Sequence, residues 1–316
     1  MRRAIFLIPI FIIFMFNTAY AFWIWSPKTG KWVNPKYAVK PTPDEQLTFA
    51  LSYYSEDELK EARNEFNKLL KYYPKSNQAA EAQYYLGAIE EKQGRFYEAY
   101  LAYQKVIDKY PFSSRINEVI EKEFKIAEKF VQGEKRKSFG VNLPVENPAI
   151  EIFAKVVDNS TYGPLAAEAQ YKLGLILKSQ GRYLEAEEEF NKVIKNYPQS
   201  EWVVPTEFQI ASCRAGISAS PDYDQEATRE AKESFEKFIF SHPDAELSKQ
   251  AEDNIQDLKE REAQGYYDIA VFYDKQKAYS AAKIYYNTVI KDYPRSSWAA
   301  EAFSRLMTLE KEDEKH

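Results

Sequence analysis

The sequence predicts an all-α protein, a solenoid of about six helical pairs closed by a C-terminal capping helix. Three observations predict it. One block occurs twice, as Ala80-Glu81-Ala82-Gln83-Tyr84-Tyr85-Leu86-Gly87 and as Ala167-Glu168-Ala169-Gln170-Tyr171-Lys172-Leu173-Gly174. Each copy is followed at the same interval by Gln-Gly-Arg-aromatic (Gln93 to Phe96, Gln180 to Tyr183), by Ala99 or Ala186, by Tyr103 or Phe190, and by Tyr-Pro at 110–111 or 197–198. Finally, the composition suits a folded repeat array: of 316 residues 45% are hydrophobic and 16% aromatic, with only 10 Gly and with Pro recurring at the repeat ends (Pro74, Pro111, Pro198, Pro243 and Pro294).

Taken from the N-terminus, Arg2 and Arg3 precede an apolar stretch from Ala4 to Phe16, and Ala19-Tyr20-Ala21 supplies a small-x-small cleavage pattern. Residues 1–21 are therefore expected to be a secretory signal, its apolar core being shorter than the roughly 20 residues of a spanning helix. The uncleaved alternative is a membrane anchor. Residues 22–42 form a Trp- and Pro-rich segment, in which Trp23, Trp25 and Trp32 flank a Thr-Gly turn that predicts a small hairpin. Since an isolated hairpin is marginal in water, these tryptophans are expected either to pack on the first repeat or to dock on a partner or a membrane interface.

The repeat domain spans residues 43–310. Its first pair is marked by Ala50, Tyr53, Ala62, Phe66 and Pro74, and the second and fourth by the two blocks above. The third uses Ala127, Phe130, Ala149 and Phe153, with an insertion at 132–147 between its helices. The fifth uses Ile210, Ala211, Ala231, Phe235 and Pro243, with a Ser-, Pro- and Asp-rich insertion at 216–225. The sixth uses Ile269, Ala270, Tyr273, Ala282, Tyr286 and Pro294, and a capping helix from Trp298 to Leu309 turns Trp298, Ala302 and Leu306 inward. Residues 311–316 are a charged tail. In the second and fourth pairs the small Gly87 or Gly174 of the first helix admits the second helix closely, Gly94 or Gly181 ends the first helix, and Pro ends the pair.

This pattern resembles the 34-residue tetratricopeptide repeat, which implies a right-handed solenoid. Within that class, Tyr267, Phe272-Tyr273, Ala278-Tyr279, Ala281-Ala282 and Asp292-Tyr293-Pro294 of the last pair resemble the BamD family of outer-membrane β-barrel assembly factors. The lengthened third pair, from Glu128 through Phe139-Gly140-Val141 to Ala149 and Phe153, is similar to the same family's third repeat. The resemblance implies a periplasmic scaffold at the inner face of the outer membrane, with unfolded outer-membrane proteins and a BamA-like insertase as partners. That family is lipid-anchored; here no cysteine follows the apolar stretch, so no lipid anchor is expected, only peripheral association through the Trp segment. Two other readings are a repeat protein coordinating the Tol–Pal system and the cell wall, and a carbohydrate-binding envelope module using the three Trp.

Enzymatic function is not expected. His242 and His316 are the only histidines, Cys213 is the only cysteine, and no triad, metal cluster or phosphate loop is built from them. No cofactor or metal is expected, Cys213 being read as a small buried hydrophobe. A net charge of −5 without a basic stripe excludes nucleic acid as a partner. The candidate protein-binding residues are Leu47, Tyr84, Phe124, Tyr171, Phe208 and Tyr267, the fifth position of each repeat, which in tetratricopeptide arrays lines the concave groove; inter-helix packing is the other reading of the same stripe.

Overall fold

The computed structural model describes residues 23–26, 30–34, 38–138, 141–142, 146–218 and 225–313. The signal sequence lies outside them, as does the core of the second insertion. Among the described residues, thirteen α-helices follow a short ribbon: α1 Pro43–Ser55, α2 Leu59–Tyr72, α3 Asn77–Lys92, α4 Phe96–Lys109, α5 Ile116–Val131, α6 Pro148–Asn159, α7 Ala166–Ser179, α8 Tyr183–Asn196, α9 Val203–Ser218, α10 Gln225–Ser241, α11 Glu246–Lys275, α12 Tyr279–Asp292 and α13 Ser297–Asp313. Five of the expected pairs pack together, α1 with α2, α5 with α6, α7 with α8, α9 with α10 and α11 with α12, and α13 closes on α11 and α12. The chain clusters into two compact units, up to Ile89 and from Glu90, with α3 running across the boundary.

In the first unit, Thr42 caps α1 through its side chain, and Pro43 takes the first helical position, where its missing amide is no loss. Ala50, Ala62, Phe66 and Leu69 are fully buried between α1 and α2. The linker before α1 is pinned down: the Tyr73 hydroxyl donates to the Lys40 carbonyl at 2.6 Å, and the Lys40 amide to Gln46 at 2.8 Å. Ahead of it, β1 (Ile24–Ser26) and β2 (Lys31–Val33) form the expected hairpin, in the register Ile24 to Val33, Trp25 to Trp32 and Ser26 to Lys31. Gly30 in the turn adopts φ +62°.

In the second unit each helix packs on the next, and the pairing is enforced by the anticipated small residues. A methyl group on Gly174 would lie 2.6 Å from the Phe190 ring, so only glycine lets α7 and α8 approach as they do. In four pairs the turn between the helices uses the left-handed backbone region at one site: Gly94 at φ +70° and Gly181 at +74° where the sequence has glycine, but Asp57 and Lys277 at +60° where it does not. Left-handed backbone costs a β-carbon-bearing residue roughly 1 kcal/mol relative to glycine. Lys277 is exposed and uses only its backbone there, its amide bonding the Asp274 carbonyl at 2.9 Å. Lys277→Gly is therefore expected to raise stability by roughly 0.5–1 kcal/mol, read as a higher midpoint in urea at an unchanged slope.

The insertions resolve differently. After Val131 the first turns back as a two-residue ribbon, β3 (Lys137–Ser138) on β4 (Val141–Asn142), before Asn147 caps α6. In the second, residues 216–218 are not loop but the last turn of α9. The largest difference from the sequence reading is α11, a single 30-residue helix. Its first half buries Ala251, Ile255 and Leu258 with Phe208, Phe235 and Phe238 of the fifth pair, and its second half buries Ala263 and Ala270 with Tyr286 and Leu306. No proline interrupts it, and Gly265 meets no neighbour that would force a break. The fifth and sixth pairs are thereby welded along one continuous rod of about 45 Å.

Candidate functional site

The surface on which successive first helices meet is polar, and it repeats. In the second pair Glu91 accepts from Tyr103 at 2.9 Å (12 residues on) and from Lys122 at 3.0 Å (31 residues on). At the end of the array Asp274 accepts from Tyr286 at 3.2 Å (again 12 on) and from Arg305 at 2.5 and 2.8 Å (again 31 on). The Arg305 guanidinium beside Asp274 holds that carboxyl below the usual range. The fourth pair keeps the spacing and changes the chemistry: Lys178 donates to Gln209, 31 on, at 2.7 Å and to Ser212 at 2.8 Å. Desolvation by burial lowers the Lys178 ammonium pKa. In the first pair the same interval joins two rings, Tyr54 edge-on to Tyr85 at 5.0 Å, with Phe66 stacked on Tyr85 at 5.3 Å. A first-helix side chain thus reaches across the second-helix aromatic to the next first helix. This acid–tyrosine–cation interval is legible in the sequence once it is looked for, and residue-by-residue repeat matching passes over it.

The fifth-position stripe lies deeper. Tyr84, Phe124, Tyr171 and Phe208 are buried, while Leu47 and Tyr267 are half-buried. Phe124 packs on Phe153 at 5.3 Å, and Phe208 on Phe235 and Phe238, each at 5.7 Å. Tyr171 lies on Trp202 at 4.9 Å and Tyr267 on Trp298 at 5.0 Å, in both cases the Trp that follows the next Tyr-Pro. Above this layer sit charges: Lys172, next to Tyr171, pairs with Glu128 at 3.0 Å and Glu168 at 3.3 Å. The aromatic layer therefore positions the polar one.

A cleft of about 610 Å³ opens between α8 and α10 over α9, lined by Leu184, Glu187, Arg214, Ile217, Glu230 and Lys237. It continues into a second recess of about 280 Å³ reaching Ile194, Glu207 and Phe238. Arg214 crosses it, donating to Glu187 at 2.8 and 3.0 Å and to Ser234 at 2.8 Å. Packing below α9 is tight, since a methyl group on Gly216 would meet the Tyr183 ring at 2.5 Å. His242 lies 2.5 Å from Glu207 at the rim of the second recess. The lining alternates aliphatic and ionic side chains, which suits an amphipathic peptide rather than a small apolar ligand. Cys213, buried under this wall, has its thiol pushed up to about 11 by burial, as an inert core residue would.

The insertion of the third pair brings a further group together. The Arg136 guanidinium sits 3.8 Å over the Tyr97 ring, and the Tyr97 and Tyr100 hydroxyls donate to Glu151 at 2.9 and 3.0 Å. The remaining candidates, Trp23, Trp25 and Trp32, are 56%, 47% and 63% exposed. Trp25 and Trp32 meet edge-to-face across the ribbon, with centroids 5.7 Å apart.

Residues 47–114 and 149–201 match the tetratricopeptide-repeat family model, and residues 215–313 match the YfiO model, described as an outer membrane lipoprotein. Comparison with curated protein sequences gives no match. Similar solved structures include the C-terminal part of a repeat protein from Cytophaga hutchinsonii (20% identity, TM-score 0.37, covering 83% of this chain and 87% of that one). A tetratricopeptide protein from Parabacteroides merdae is 15% identical with TM-score 0.34, over 84% of this chain and 98% of its own. YrrB, described as a repeat protein with an unusual peptide-binding site, is 18% identical with TM-score 0.35, over 69% of this chain and 94% of its own.

Proposed function

We propose that the chain is a non-enzymatic scaffold of the cell envelope that holds other proteins, as a BamD-like component in the assembly of outer-membrane β-barrels. The observation that carries this reading is the match of residues 215–313 to an outer-membrane lipoprotein family, because those helices include one wall of the α8–α10 cleft. A barrel strand alternates apolar and polar side chains. The cleft offers both chemistries at that scale, Leu184 and Ile217 beside Arg214, Glu230 and Lys237. The stripe of Leu47, Tyr84, Phe124, Tyr171, Phe208 and Tyr267 enters as the layer that sets the first-helix surface, where Tyr267 and Leu47 keep part of their area for a client. A BamA-like insertase is the second partner, and the outer-membrane periplasmic face the location.

A photo-crosslinking residue at Lys237, in the cleft, tests this in the intact envelope, with one at Glu236, outside the cleft lining, as control. Adducts with nascent barrel proteins and the insertase at position 237, several-fold above the control, are expected. Adducts confined to Tol–Pal or cell-wall proteins would replace this reading by that of an envelope-coordinating scaffold.

A further inference from the structure

The two faces of the N-terminal ribbon differ. Trp25 and Trp32 are directly opposite each other and share one face, and Trp23, the residue that leads into β1, stands two positions before Trp25, the interval at which an extended chain returns to the same face. Ile24, Ser26, Lys31 and Val33 occupy register positions on the other. All three tryptophans leave about half or more of their area in solvent. Such a face is unusual for a solvated hairpin and implies something that covers it.

Charge says what. The first carboxylate of the chain is Asp44, so all 48 acidic side chains follow residue 43, whereas Arg2, Arg3, Lys28, Lys31, Lys36 and Lys40 precede it. From Phe22 to Pro43 there are four lysines and no acid, and just before lies the uncharged stretch that ends at the ribbon. The segment is cationic and aromatic; the helices that follow are strongly acidic. Tryptophan partitions to the headgroup region of a bilayer and lysines add attraction to anionic lipid. A sugar platform needs rings laid flat and side by side, whereas Trp25 and Trp32 are inclined by 67°.

We propose that the Trp23–Trp25–Trp32 face lies in the headgroup region of an anionic phospholipid leaflet and holds the repeats at that surface. The stretch from Val33 to Lys40 is short, and Lys40 is pinned by Tyr73 at the end of α2, so the ribbon serves as a close foot rather than a loose arm. The acidic repeats are repelled by the same leaflet, which keeps their binding surfaces open to solvent and clients. This stands apart from the identity of those clients.

The test uses the exported chain as isolated from the envelope, floated with vesicles of phosphatidylethanolamine alone or with about one-third phosphatidylglycerol. A Trp202→Phe/Trp298→Phe background leaves only the ribbon tryptophans to fluoresce. Binding that needs the anionic lipid, weakens with salt, and is accompanied by quenching from lipid-borne bromine is expected. The Trp23→Ala/Trp25→Ala/Trp32→Ala variant, whose helical circular dichroism should be unchanged, is expected to bind at least about ten-fold less. Absent quenching, equal flotation of the triple variant, or retention on cell-wall glycan or a protein in place of vesicles overturns the proposal.

Discussion

Glu123→Gln is expected to stabilise the protein at pH 8 and to have little effect at pH 4. Glu123 lies in α5 with no exposed area, and neither carboxylate oxygen has a well-aligned hydrogen-bond donor, the nearby Asn159 amide being given to Gln104 at 2.9 Å. Burial pushes its pKa from 4.5 up to about 8; Asp108 of α4 adds to the shift, while Asn159 and Lys155 of α6 oppose it. The folded carboxyl thus keeps its proton across a range in which the unfolded one has lost it. Below the unfolded value near 4.5 both states are protonated and the group costs nothing extra. As pH rises from there to about 8, the folded state binds more protons than the unfolded, so stability falls, and above it the loss is complete. The loss is on the order of a few kcal/mol. Glutamine keeps the shape and removes the titration. Urea unfolding at pH 4, 6 and 8 measures the difference between the two proteins: it should grow with pH and reach roughly 1–3 kcal/mol in favour of the variant. Parallel pH profiles would mean that Glu123 is hydrated in solution.

That a carboxylate sits in the core of the third pair is not legible from spacing alone. A Glu at a core-facing helical position reads like any of the chain's other acids until α4 and α6 close over it. Other features were legible for clear physical reasons. Ala99, Ala186 and Ala282 are small because a second helix must come close, and all three are fully buried. Gly94 and Gly181 announce a left-handed turn, but Asp57 and Lys277 take that conformation without the residue that signals it. The long α11 escaped because the repeat template assigns nothing between Pro243 and the first marked residues of the sixth pair, whereas Ala251, Ile255 and Leu258 carry the helical period from Glu246 straight into that pair. For the candidate site, the Trp hairpin followed from its alternation and Thr-Gly turn. The polar ladder did not, because side chains 31 residues apart belong to different repeats and are matched only when consecutive first helices are laid side by side. The charge partition at Asp44 is plain in the sequence and is diluted by any whole-chain count.

The close approach of α7 and α8 gives the other large effect. Gly174→Ala places a methyl group 2.6 to 2.9 Å from three carbons of the Phe190 ring, where ordinary contact is 3.4–4 Å. Phe190 cannot withdraw, being fully buried with Tyr171 at 5.7 Å on one side. Overpacking of this kind costs about 1–3 kcal/mol, which outweighs the gain of up to about 1 kcal/mol that alanine brings to a helix. Phe190→Ala alone should cost about 3–5 kcal/mol by leaving a cavity. In that background the clash is gone, so adding Gly174→Ala should turn stabilising by roughly 0.5–1 kcal/mol, filling part of the cavity and favouring the helix. The sign reversal is the diagnostic, because a glycine kept only for backbone freedom would give the same effect in both backgrounds. It matters for function because α8 carries Glu187 and Leu184 into the cleft on its other side, and Tyr171 supports Trp202 beneath the polar surface. Photo-crosslinking from Lys237 should therefore fall in Gly174→Ala even at temperatures where the helices remain formed, and recover when Phe190 is shortened to leucine.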